Sequence, residues 1–236
     1  MKQRGFAQGI FQQSSTKKEE LGTLRIGSNG KAYRYARAGA TALAAGVWVK
    51  GVAIAAAHEN QAILAAVAVG TKSLTVTVTA GTAIAENELQ GGELAINDAT
   101  GKGHTYEIES NTAITTAETD VTLALKRGIK VALDVTSEFT LIRNPFYGGI
   151  VSTTQTLPDI GGTPIAVTAL NYFWAQRGGL GICLIGGTAT AGQPLMPSDG
   201  TAGGLENADA VTEQSVAIAC FATTDTEYGP VRFTLG

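Results

Sequence analysis

Charged side chains are scarce in this sequence. Only 16% of the 236 residues are Asp, Glu, Lys or Arg, whereas about 25% is usual for a soluble domain. The 17 basic and 20 acidic residues are scattered and leave a net charge of −3. This charge distribution forms no basic patch that could bind DNA or RNA, so we expect no nucleic-acid partner. A surface with so little charge instead favours association with copies of itself or with another protein.

Long apolar runs are also missing. The run AILAAVAV near the middle, residues 62–69, is far shorter than the roughly 20 residues that a membrane-spanning helix needs. The N-terminal stretch MKQRGFAQGIFQQSSTKKEE, residues 1–20, has no apolar core of the kind found in signal peptides. We therefore expect no membrane partner and synthesis in a cytoplasm.

Cysteine and histidine, which serve metal binding and acid–base catalysis, occur only twice each. Their spacing fits no zinc motif, and no G-x-S-x-G stretch offers a platform for a serine nucleophile. His58 lies in an Ala-rich stretch and His104 in the turn-like ATGKGHTY. Cys183 and Cys220 stand in apolar segments, where we expect two buried free thiols. The sequence thus predicts no catalytic residue, no cofactor and no metal, and a protein that is not an enzyme.

The stretch GSNGKAYRYARAGATALAAG, residues 27–46, opens like a phosphate-binding loop. A Walker loop would need glycine where Arg25 stands, and a hydroxyl where Ala32 follows Lys31. The residues after the lysine alternate as in a strand. We therefore predict a β-hairpin with Ser28-Asn29-Gly30 as its turn.

Short alternating segments predict an all-β fold, a barrel or sandwich with at most one or two short helices. The plainest is SLTVTVTAG, residues 73–81, in which Leu74, Val76 and Val78 alternate with threonine. Residues 56–70 are rich in Ala and are the one tempting helix, although a buried strand fits them as well.

Two related small-residue runs, AGATALAAGVWV and GGTATAGQPLM, lie near opposite ends of the chain. We interpret both as barrel-end loops. With the break at Pro145 and Gly148, they suggest that residues 21–52 and 150–236 form one barrel, with residues 53–149 inserted as a second β domain. The alternative is a sequential arrangement of residues 21–148 and 149–236.

Residues 1–20 form either a free tail or an arm that lies on a neighbouring molecule. Their apolar residues Phe6, Ile10 and Phe11 are anchors that a free tail would not need, so both interpretations stay open. Further along, strand period places aromatic and basic side chains together in YRYAR and NYFWAQRGG. One of these aromatic faces is expected to belong to the core. The Tyr and Arg side chains that remain outward are typical of protein–protein hot spots. The candidate interface residues are therefore Phe6, Phe11, Tyr35, Arg37, Trp174 and Arg177.

Three patches occur in order along the chain: RAGATALAAG (Arg37–Gly46), NDATGKGHTYEI (Asn97–Ile108) and YFWAQ (Tyr172–Gln176). Together they resemble the head decoration, or capsid cement, proteins of tailed bacteriophages over most of residues 22–236. Members of that family often have Asp-Pro where this chain has Arg127-Gly128, so that loop is expected to differ.

The resemblance implies a non-catalytic protein on the exterior of the virion capsid. It also implies a major capsid protein as partner and commonly a homotrimer. It supplies no active-site residues. Two alternatives stay open: a virion module that binds carbohydrate or a receptor, and a β-rich enzyme.

Overall fold

The computed structural model describes residues 5–27, 29–209 and 214–235, and nearly all regular structure in it is β, as predicted. In chain order the strands are β1 (Leu24–Ile26), β2 (Ala32–Arg37), β3 (Trp48–Lys50), β4 (Gln61–Ala62), β5 (Ser73–Thr77), β6 (Glu93–Asp98), β7 (Thr105–Asn111), β8 (Asp120–Leu125), β9 (Glu138–Ile142), β10 (Asp159–Gly162), β11 (Tyr172–Leu184), β12 (Pro194–Pro197), β13 (Leu205–Asn207), β14 (Ala217–Ala219) and β15 (Tyr228–Thr234). Within the described ranges, no helix is long and apolar enough to cross a membrane.

The chain forms two compact units. Unit 2 is the continuous segment Ala53–Asn144, and unit 1 is made of the two flanking segments, Met1–Val52 and Pro145–Gly236. Each unit has its own antiparallel sheet, with nine strands in unit 1 and six in unit 2.

The sheet of unit 1 runs β1-β2-β11-β15-β14-β12-β13, and β10 joins β11 to β3. The long strand β11 is its centre, because it pairs with β2 along its first half and with β15 along its second half. A parallel bridge between Ile185 and Leu205 brings the β13 side back to the end of β11. The sheet is thereby almost closed into a barrel around a core that includes Trp48, Leu195 and Phe233.

The predicted hairpin between the first strands is confirmed. Strands β1 and β2 pair antiparallel, with Ile26 opposite Ala32. The Gly27 amide donates to the Lys31 carbonyl oxygen over 2.8 Å, and Gly30 has a φ of +75°, which a side chain would disfavour. Of the predicted turn, Ser28 lies outside the described residues.

Unit 2 has the strand order β4-β9-β6-β7-β8-β5. In β5, Leu74 and Val76 are buried, whereas Thr75 hydrogen-bonds across to Thr122 on β8 over 2.9 Å. The half-buried strand predicted from SLTVTVTAG is therefore confirmed. The core of the unit is aliphatic apart from Tyr106 and Phe139.

A short turn-and-strand element recurs in both units. In each copy one residue forms an isolated antiparallel bridge with its counterpart in another copy through two reciprocal hydrogen bonds. The bridged pairs are Leu43–Val167 and Ala189–Thr223 in unit 1, and Val67–Leu133 and Ile84–Ile114 in unit 2. In six copies a residue of positive φ follows three positions later, namely Gly46, Gly70, Asn87, Leu170, Gly192 and Thr226. The two small-residue runs noted in the sequence are copies of this element.

One alternative that the sequence left open is resolved, and one local expectation needs correction. Residues 56–70, for which helix and buried strand both stayed open, contain one 3-10 turn, Ala56–His58, and then β4, which pairs with β9. Pairing with the sheet of unit 2 thus outweighs the helix propensity of alanine. Of the two thiols, Cys183 is buried as expected, but Cys220 is exposed because it follows the end of β14. Burial raises the pKa of the Cys183 thiol to about 12.

Candidate functional site

The described part of the N-terminal stretch, residues 5–20, lies on its own unit 1. Ser14 forms an antiparallel bridge with Tyr172 at the start of β11. The Gln8 side chain, only 3% exposed, donates to the Tyr172 carbonyl oxygen over 3.0 Å and to that of Gln12 over 2.8 Å. Its Oε1 accepts a 2.7 Å hydrogen bond from the Tyr35 hydroxyl. These residues are therefore not a free tail, because they bond and pack against unit 1 of their own chain. Contact of this segment with a neighbouring molecule stays a prediction.

Three of the predicted interface residues meet beneath this segment. The Phe6 ring packs edge-on against Trp174 with 5.2 Å between centroids, and Tyr35 packs against Trp174 at 5.1 Å. The Arg25 guanidinium lies 4.8 Å above the Phe6 ring and 5.5 Å from that of Trp174. The Trp174 indole N–H donates to the Gln8 carbonyl oxygen over 3.1 Å.

The prediction that Tyr35 and Trp174 face outward is wrong, because both side chains are 0% exposed. Strand period identified two faces of β2 and β11, but the N-terminal segment covers the face that the barrel core does not. Burial raises the pKa of the Tyr35 hydroxyl to about 12, although a hydrogen bond from the Lys18 amide opposes the shift. Tyr35 and Trp174 therefore stabilise the unit and are not available to a partner.

The two predicted interface arginines are half-buried and hold parts of unit 1 together. Arg37 donates to the Leu170 carbonyl oxygen over 3.1 Å and to the Tyr147 hydroxyl. Arg177 donates to the Asp159 carbonyl oxygen over 2.8 Å. Its pKa is lowered, chiefly by burial. Both guanidinium groups thus bond within the unit, and their part in an interface stays a prediction.

Phe11, the remaining candidate, is 71% exposed. It lines a cleft of about 310 Å³ together with Leu180, Ile182 and Phe233. Phe11 is thus the one predicted interface residue whose ring stands on the surface, and the cleft connects it to strands β11 and β15.

Sequence reasoning missed a row of exposed apolar side chains on those two strands. Ile182 pairs with Pro230 and Leu184 with Tyr228, and direct antiparallel partners share one face of a sheet. Leu180 is 60% exposed, Ile182 55% and Tyr228 47%. We define the apolar face as Leu180, Ile182, Tyr228 and Pro230. The exposed Arg232, directly opposite Leu180, borders it on the same side of the sheet, and Phe11 lines the adjoining cleft.

Glycine explains why this row faces outward. In GGLGIC, glycines alternate with the large residues, and a Cβ on Gly181 would lie 2.5 Å from the Phe233 ring. The inner position 181 must be glycine because Phe233 fills the space beneath it, so the neighbouring Leu180 and Ile182 point to the other face. The alternation of glycine with large apolar residues was the available signal.

Few groups in the structure are arranged for chemistry. His58 is buried, and no hydrogen-bond partner for its Nε2 is found among the described residues. Its pKa is lowered by burial and by the nearby Arg143, which pairs with Glu88 at 2.6 Å. Across the described residues, no group of three or more His, Cys, Asp or Glu could hold a metal ion.

Unit 1 therefore has a buried aromatic cluster closed by the N-terminal segment, and also an exposed apolar face suited to contact with another protein. Comparisons of the chain with protein-family models, curated proteins and solved structures find no match.

Proposed function

We propose that this protein binds the exterior of a tailed-bacteriophage head and stabilises the shell, as a homotrimer that contacts the major capsid protein. In this role it has no catalytic activity and needs no cofactor. The observation that carries the proposal is the apolar face, whose three most central large side chains, Leu180, Ile182 and Tyr228, are each about half exposed.

Contiguous apolar surface on a soluble protein marks a contact with another macromolecule. Full burial of a Leu, Ile or aromatic side chain contributes about 1.5–3 kcal/mol, so completing the burial of half-exposed side chains adds about 1 kcal/mol for each. Phe11 extends this surface from the N-terminal segment. Together these side chains offer several kcal/mol to an interface.

A trimer would multiply such a modest contact. When three subunits are linked, each further contact forms at a high effective concentration, and weak interfaces sum to tight attachment. The low proportion of charged residues supports the same function, because close packing on a shell then desolvates few charges. The three sequence patches that resemble head decoration proteins add to this support.

The test combines light scattering, which gives the subunit number, with a titration onto undecorated capsids of the phage that encodes the chain. We expect a trimer in solution or on the capsid, and capsids that withstand less heat without the protein. Ile182→Asp should weaken capsid binding or trimer formation by about tenfold or more, because it places a charge in an apolar contact.

Leu64→Asp is the matched control, since Leu64 is 67% exposed but lies in unit 2. It should bind as the parent protein does. Equal binding by the Ile182→Asp variant and the parent would refute the role of the apolar face. A monomer that ignores capsids but binds a glycan would refute the decoration function and favour the receptor-binding alternative.

A further inference from the structure

Unit 1 contains a cavity of about 560 Å³ whose wall includes a buried lysine. Lys50 is the last residue of β3 and is 1% exposed. Its main chain is fixed on both sides: it pairs with Asp159 of β10, and it exchanges two 2.8 Å hydrogen bonds with Ile150. Lysine is almost never fully buried unless it is paired, so its partners decide what this site is for.

The two oxygen partners of the Lys50 ammonium lie at the long end of hydrogen-bonding distance. The Lys50 Nζ lies 3.5 Å from Asp159 Oδ1 and 3.4 Å from the Gln155 carbonyl oxygen. A charge-assisted hydrogen bond between an ammonium and a carboxylate is usually about 2.7–2.9 Å long. Asp159 Oδ1 already accepts a 2.6 Å hydrogen bond from the Trp48 indole. The ammonium, which has three donors, is therefore weakly engaged by groups of its own unit.

The remaining wall of the cavity is suited to one class of anion. Gln155 and Gln214 carry amide groups and Thr156 a hydroxyl, which can hydrogen-bond to a second carboxylate oxygen. Pro158 and Pro197 add apolar surface for a short hydrocarbon body. The Gln155 side chain donates to the Pro197 carbonyl oxygen over 2.7 Å, which ties the two sides of the cavity together.

The charge of the cavity wall further restricts which anions could bind there. Asp159 lines the same cavity as Lys50, so a dianion such as phosphate would meet a like charge close to the ammonium. The volume lies within the range of about 300–1,000 Å³ that is common for small-molecule sites. We propose that this cavity binds a monocarboxylate with a short apolar body, with Lys50 contacting the carboxylate.

The same chemistry could belong to a free small acid or to an acidic side chain of another protein. Two probes separate these sources: sodium butyrate, and the blocked residue N-acetyl-aspartyl amide. Binding is followed by amide chemical shifts of the isotope-labelled full chain, with sodium chloride at matched ionic strength as the reference. We expect saturable shifts at residues 155–157, at Asp159 and at Gln214.

Tighter binding of butyrate assigns the site to a small acid, and tighter binding of the aspartyl probe assigns it to a partner chain. Both outcomes support a carboxylate site. Tighter binding of inorganic phosphate than of either probe would overturn the proposal, as would the absence of any saturable shift at these positions.

Substitutions test the role of the lysine. Lys50→Met should lower the affinity for the preferred carboxylate by about tenfold or more, because it removes a charged hydrogen bond. Lys72→Met, at an exposed lysine of unit 2, should bind like the parent. If Lys50→Met does not fold, Gln214→Ala serves instead, since it leaves the lysine in place and should still weaken binding. Unchanged affinity in the folded Lys50→Met or Gln214→Ala variant would contradict the proposed geometry.

Discussion

The contact between Gln8 and Tyr35 offers a quantitative test of how the N-terminal segment is held. In Gln8→Ala the Tyr35 hydroxyl, inside a residue that is 0% exposed, loses the acceptor 2.7 Å away. An unsatisfied buried donor costs about 1–3 kcal/mol. The side-chain amide also bonds to the carbonyl oxygens of Gln12 and Tyr172. We therefore expect Gln8→Ala to lower the free energy of unfolding by about 2–4 kcal/mol.

Tyr35→Phe removes the other partner of the same hydrogen bond. It should cost about 1–2 kcal/mol, because Gln8 Oε1 and the Lys18 amide each lose one bond. In the double variant no hydroxyl is left unsatisfied. The combined cost should therefore fall short of the sum of the single costs by about 1–2 kcal/mol, as is found for residues in direct contact.

Urea unfolding followed by tryptophan fluorescence is the suitable assay, since both tryptophans, Trp48 and Trp174, belong to unit 1. Gln193→Ala, at an exposed turn residue, is the control and should change stability by less than about 0.5 kcal/mol. Additive costs in the Gln8–Tyr35 cycle would refute the buried hydrogen bond. So would a Gln8→Ala variant as stable as the control.

Two further predictions concern buried and exposed titratable groups. Burial and Arg143 lower the pKa of His58 in the folded protein, and Glu88 only partly opposes them. As the pH falls, His58 therefore takes up its proton at a higher pH in the unfolded chain than in the folded one. Unit 2 should therefore lose stability as the pH falls below His58's ordinary value of 6.5, by up to about 1.4 kcal/mol per pH unit. Amide hydrogen exchange in β6 and β9 measures this loss, and a His58→Gln variant with the same pH profile would show that another group is responsible. A thiol reagent such as DTNB should label Cys220 in the native protein but Cys183 only after unfolding, because Cys183 is buried with a pKa of about 12; rapid labelling of both would contradict the burial of Cys183.

Local sequence was enough for the class of fold. Alternation of Leu74 and Val76 with threonine specifies a strand with one buried face, and β5 has that form. The turn chemistry around Asn29-Gly30 likewise indicated the β1–β2 hairpin. Both signals depend only on neighbouring residues, which is why they can be read without knowing the rest of the molecule.

The recurring turn-and-strand element is only partly visible in the sequence. Two copies stood out in the sequence because a run of small residues precedes the glycine at their positive-φ position, Gly46 and Gly192. Others place Asn87, Leu170 or Thr226 at the equivalent position, and such substitutions hide the repeat. The bridge between paired copies holds the backbone in place, so the side chain is free to vary.

The surface of unit 1 was decided by tertiary structure alone. The two-residue period of a strand places Trp174 and Phe173 on opposite faces of β11. It does not show that residues 5–20 cover one face and the barrel core the other. Nor does it say that Phe233, far along the chain, occupies the space beside Gly181 and turns Leu180 outward. The sequence by itself determined which residues alternate in a strand, because alternation is a property of the local backbone. Which side of each strand meets solvent depended on distant segments that pack against it, and only the folded chain brings those together.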